Sequence, residues 1–103
     1  MMVVTTDYIS GKNLEMIGIC RGSMVQTKHL GTDILASFKT LVGGEVSGYS
    51  EMLNQSRATA TQRMIEDAQN MGADAVVNVR YVSAAVMQGA AEITAYGTAV
   101  KFV

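Results

Sequence analysis

Between a glycine pair at Gly43-Gly44 and a single glycine at Gly72, the chain carries one apolar stripe at helical spacing. At 100° per residue, Tyr49, Leu53, Ser56, Ala60, Met64, Ala68 and Met71 fall on one side of a helix from about Gly48 to Met71. At ~1.5 Å per residue that helix is roughly 35 Å long. The middle of its stripe is small, so the helix can lie close to a sheet there. Gly72 stands where a left-handed residue ends a helix. On the opposite side, Ala58 and Ile65 beside Glu51, Gln62 and Gln69 mark a weaker second face.

The flanking segments read as strands. Val3 to Thr6 is short and β-branched. From Leu14 to Gln26 the residues alternate, with Gly18, Cys20 and Gly22 giving one face a run of small residues that invites close packing. After Asp74 the period switches to two, placing Ala75, Val77, Val79 and Tyr81 against Val76, Asn78, Arg80 and Val82. Gly89 marks a hairpin connection, and Glu92 to Val103 forms the last strand, with Ile93, Ala95, Gly97 and Ala99 on its small face. A shorter helix is expected from Thr32 or Asp33 to Val42, where Ile34, Leu35, Phe38, Leu41 and Val42 share a stripe. The class is therefore α+β: a two-layer subunit with a mainly antiparallel sheet, one long helix and one short helix, forming a single domain over 1–103.

The second face of this sheet is too apolar to face water, since it presents Ile17, Ile19, Tyr96, Val100 and Phe102. The chain has 103 residues, 49% of them apolar, and one cysteine, so no internal disulfide can staple it. Association between subunits is the expected way to cover that face. Net charge is −1 with no basic stripe, which argues against nucleic acid as a partner. The opening Met-Met-Val-Val-Thr-Thr lacks the pattern of a secretory signal, and no apolar run reaches the length of a membrane span. A cytoplasmic location is expected.

Chemistry is thinly represented. Cys20 and His29 are the only Cys and His, with no paired metal-ligand spacing, and each reads as an ordinary structural residue. Among the eight methionines, Met16, Met24, Met64 and Met71 fall on expected core stripes. Gly43 to Gly48 precedes a helix without any phosphate-loop pattern. The best polar set is Glu45, Tyr49 and Arg57, which could line a cleft between subunits, with Arg57 holding a carboxylate or phosphate. Arg63 and Asp67 lie beside the apolar stripe, where unpaired charge is costly, so they are expected to pair with each other or with a neighbouring subunit.

Gly43-Gly44-Glu45, Tyr49, Leu53, Arg57, Ala60, Ala68 and Gly72-Ala73-Asp74-Ala75-Val76-Val77 together resemble the central signature of the YbjQ-like family. Val4-Thr5-Thr6, Gly11 and Gly97-Thr98-Ala99-Val100 extend the resemblance over the whole chain. It implies a ring-forming, dodecin-like subunit assembled as a cyclic homopentamer, in a family labelled heavy-metal-binding with no established reaction. Taken together, the residues and the resemblance favour a non-enzymatic oligomer binding a metal ion or small ligand at subunit interfaces. The alternatives are an enzyme with an intersubunit site for a small anionic substrate, using Arg57 with Glu45 or Tyr49, and an oligomeric scaffold without a ligand. The residues name no particular cofactor or metal.

Overall fold

The computed structural model describes residues 1–27, 47–87 and 89–103. Within them run a two-residue strand β1 (Met2–Val3), a long strand β2 (Leu14–Thr27), the helix α1 (Ser47–Asn70), and two more long strands, β3 (Ala75–Met87) and β4 (Ala90–Phe102). The expected short helix and the Gly43-Gly44 pair lie outside the described residues. The sheet order is β1-β3-β4-β2. β1 runs parallel to β3, and the other two pairings are antiparallel, so the sheet is mixed and the class is α+β.

α1 buries the stripe that its spacing defines. Ser56, Ala60, Met64 and Ala68 are fully buried, with Leu53 and Met71 packed at the margins. They meet Cys20 of β2 and Ile93, Ala95 and Ala99 of β4. The approach is closest at Gly22, where a Cβ would run into the backbone of Ala60 and Met64. Ser56 can be buried because its hydroxyl donates to the Met52 carbonyl at 2.9 Å. The helix closes as its glycine anticipates: Gly72 has φ 79°, its N–H donates to Gln69 C=O, and the Ala73 N–H donates to Ala68 C=O. Lys101 Nζ then donates to the Gly72 carbonyl at 3.0 Å, tying the helix end to β4.

Two irregularities displace the simple alternation of the strands. The β2–β4 register shifts between Met16 and Gly18, which makes Ile17 the extra residue. Met16 consequently leaves the core stripe and is 76% exposed. On β3 the register shifts between Val77 and Arg80, where Asn78 adopts φ 55°, a conformation that Asn tolerates better than most side chains. Val76 and Val79 therefore both pack on the helix side, while Ala75 and Val77 face away from it.

That opposite face, the far face, is covered at one end only. Ile9 closes over Ala75, Val77 and Val100, with Val4, Leu14 and Phe102 around them. Val100 and Phe102, expected among the exposed apolar residues, are thus covered by the N-terminal segment of the same chain. Ile19 and Tyr96 remain open, as expected. In the other direction the β3–β4 hairpin runs on as an arm, and residues 80–87 of β3 are all exposed. The described residues have a radius of gyration of 16.7 Å, against about 13 Å for a compact 100-residue domain, which reflects that extension.

The Gly22 contact generates a ranking. Gly22→Ala forces the helix backbone off the strand and should cost at least about 2 kcal/mol, lowering Tm by roughly 10 °C. Gly18→Ala should cost much less, because its Cβ would meet only the flexible Met71 Cε at 3.3 Å. Calorimetry of the two variants checks the order.

Candidate functional site

The expected polar set can be followed only in part. Glu45 lies outside the described residues. Tyr49 sits in the first turn of α1, and its side chain is outside the described set. Arg57 projects from the exposed side of α1, where its guanidinium donates to Asn54 Oδ1 one turn earlier. One turn on, the Thr61 hydroxyl bonds the Arg57 carbonyl and shares a 2.7 Å hydrogen bond with the Tyr81 hydroxyl, linking α1 to β3.

Arg63 and Asp67 serve a purpose that their spacing does not reveal. Rather than pairing with each other, both reach the outer edge of β2, the last strand of the sheet. Asp67 Oδ2 accepts the Arg21 N–H at 3.0 Å, and Arg63 Nη1 donates to the Ser23 carbonyl at 2.6 Å. Outward N–H and C=O groups on an edge strand are templates for unwanted pairing. Here the helix supplies one acceptor and one donor at the spacing of alternate strand residues. Sequence reasoning found the residues and missed the partners, which are main-chain atoms about 40 positions away in the chain.

Cys20 lies directly beneath this edge and is fully buried. Its thiol donates to the Gly97 carbonyl at 3.7 Å. Burial, with the nearby Asp67 charge adding to it, raises the thiol pKa above its ordinary 9.0, outweighing the two backbone hydrogen bonds that lower it. A protonated thiol sealed under a helix is a weak nucleophile and a poor metal ligand.

The far face carries the remaining polar features. Ser23 and Thr94 hydroxyls share a 2.7 Å hydrogen bond, and the Thr94 hydroxyl donates to Glu92 Oε1 at 3.3 Å. Arg80 Nη1 donates to the carbonyls of Thr5 and Val79, tying β3 to the N-terminal segment. Around this polar row stand Ile19, Val25, Val82 and Tyr96, all exposed. At the end of β1, Met2, Val4, Thr6, Tyr8, Ile9 and Ser10 line an open groove of about 320 Å³.

The chain belongs to the family described as "Putative heavy-metal-binding" (YbjQ_1), whose model matches residues 1–103. Its relatives include UPF0145 proteins from Alkaliphilus metalliredigens, 63% identical with both chains covered in full, and from Clostridium novyi, 56% identical with 98% of each covered. A UPF0145 protein of Methanosarcina acetivorans is 56% identical, over 98% of this chain and 96% of its own. Among solved structures, a protein of unknown function of the DUF74 family from Pediococcus pentosaceus superposes with a TM-score of 0.71 at 13% identity. That likeness covers 100% of this chain and 98% of the other and concerns the fold alone.

The donors on the page can be tested against the metal in the family's description. Among the described residues no three His, Cys, Asp or Glu side chains converge. The one thiol is inaccessible and bonded to a carbonyl, and Asp67 is engaged by the β2 edge. The described residues of one subunit therefore do not fit a heavy-metal centre. No helix among them is long and apolar enough to cross a membrane.

Cys20 gives the test of this site. A disulfide reagent added to the native protein should leave the thiol unmodified over hours, and denaturation in urea should release one reactive thiol per chain. The pH dependence has a fixed sign. The folded thiol holds its proton above pH 9, where the unfolded chain loses it, so the contribution of Cys20 to stability is complete below pH 9 and declines as pH rises through the raised value. Cys20→Ala should flatten that alkaline decline in urea titrations.

Proposed function

We propose that this protein works as a non-enzymatic homo-oligomer, a ring whose subunit junctions hold a metal ion or a small ligand. The observation that carries this reading is the far face. Its middle leaves Ile19, 76% exposed, together with Val25, Val82 and Tyr96 uncovered, whereas α1 covers the near face and Ile9 covers one end. A contiguous apolar patch with a row of hydroxyls through it suits a permanent protein interface better than it suits water.

The number five comes from the family resemblance, and a cytoplasmic location from the composition of the chain. Glu45, Tyr49 and Arg57 are the proposed ligand set. Arg57 sits on the exposed side of α1, where a neighbouring subunit could compete with Asn54 for its guanidinium. A metal, if bound, would draw donors from more than one subunit, because the described donors of a single subunit do not converge.

Native mass spectrometry of freshly purified protein, with elemental analysis of the same sample, tests the reading. It should give a species near five times the monomer mass, carrying metal or an adduct in fixed ratio to subunits. Arg57→Ala should lose an anionic adduct while the assembly mass stays the same. A monomer at micromolar concentration would end this reading.

A further inference from the structure

Two uncharged apolar features sit at opposite ends of β3, and neither has a partner in the described chain. The first is the arm of the β3–β4 hairpin. From Tyr81 to Met87 the strand has no charged residue, and Val82, Val86 and Met87 are 51%, 51% and 68% exposed. The N-terminal segment accompanies β3 as far as Val79, whose N–H donates to the Val4 carbonyl, and Arg80, whose guanidinium reaches Thr5. Beyond that point the outer edge of the arm is open. The Arg21 N–H leaves the sheet for Asp67, so its register partner Tyr96 turns its main-chain groups toward Arg80. By alternation, the N–H and C=O groups of Tyr81, Ser83 and Ala85 point away from β4.

The second feature is the groove beside β1, lined by Met2, Val4, Thr6, Tyr8, Ile9 and Ser10. It has no charged residue in its wall and is bordered by the exposed rings and chains of Tyr8 and Met2. About twelve strand residues separate it from the arm tip, roughly 40 Å at ~3.3 Å per residue. The arm of one molecule therefore cannot fill its own groove.

We propose that the hairpin arm of one copy docks, head to tail, in the β1 groove of the next copy. This inference rests on the homo-oligomer reading and names its contact. The surfaces match in kind: both are neutral and apolar, and the open main-chain groups of the arm meet the outer edge of β1. The other edge of the sheet, at Arg21 and Ser23, is closed by Asp67 and Arg63 and offers no such pairing. A contact between two different patches at opposite ends of a subunit is heterologous. It repeats from copy to copy and closes into a ring when the rotation permits.

Complementation between two broken variants tests it. Met87→Lys damages the arm and Tyr8→Lys damages the groove, with Val86→Lys and Met2→Lys as second choices at equally exposed sites. Circular dichroism should show each still folded. Wild-type protein should sediment as an oligomer, and each variant alone as a monomer at the same concentration. An equimolar mixture of the two should give a species of about twice the monomer mass and nothing larger, because the pair retains one sound arm and one sound groove in register. If Tyr8→Lys and Met2→Lys both assemble like wild type, the groove is not the receptor and the proposal is overturned. Failure of the folded variants to complement overturns it equally. A monomeric wild type is a different result, since it removes the oligomer reading itself.

Discussion

The contact of α1 with the backbone of Gly22 sets the terms for the rest of the molecule. A helix can rest directly on a strand only where both surfaces are nearly bare, and here Gly22 meets Ala60 and the main chain at Met64. The near-face core is consequently built from small side chains: Ser56, Ala60, Ala68, Cys20, Ala95 and Ala99, with Met64 as the main large filler. Close approach also brings the flank of α1 level with the edge of β2, which is what lets Arg63 and Asp67 reach main-chain atoms. Tight packing on one side and a guarded edge are thus two results of the same geometry. The cost is a modest apolar area under the helix, so much of the aliphatic content of the chain stands elsewhere.

How much of this could be read from the residues depends on which periodicity was intact. The stripe from Leu53 to Met71 is legible because nothing interrupts α1, and its buried members coincide with the expected ones. Strand positions were legible as well, to within a few residues at their ends. Strand faces were not. One extra residue at Ile17 turns Met16 outward, and another beside Asn78 exchanges the sides of Val77 and Val79. Local composition gives no warning of either bulge. Of the candidate site, the exposed setting of Arg57 was legible from helix geometry. The duty of Arg63 and Asp67 was not, because acceptors and donors on the main chain leave no trace in side-chain identity.

The family description and the chemistry of this chain meet at Cys20. A soft thiol would be the natural anchor for a heavy metal, yet here it is enclosed between α1 and β4 and bonded to Gly97. Its surroundings favour the neutral form, whereas a metal ligand must give up its proton. The residue behaves as a small packing unit that lets the helix stay close. Any metal chemistry of this subunit belongs to surfaces that meet other subunits.

The paired bulges have a further consequence, for the history of the sequence rather than its energetics. Because each one inverts inside and outside for the remainder of its strand, the chain buries one face at its N-terminal end and the other beneath α1. Removing or adding a single residue near Ile17 or Asn78 would invert half a strand at once, turning valines to water and polar residues to the core. Length changes in a lineage of such proteins are therefore confined to the connections between strands. The spacing from Leu14 to Gly22 and from Ala75 to Tyr81 should drift in composition far more readily than in length.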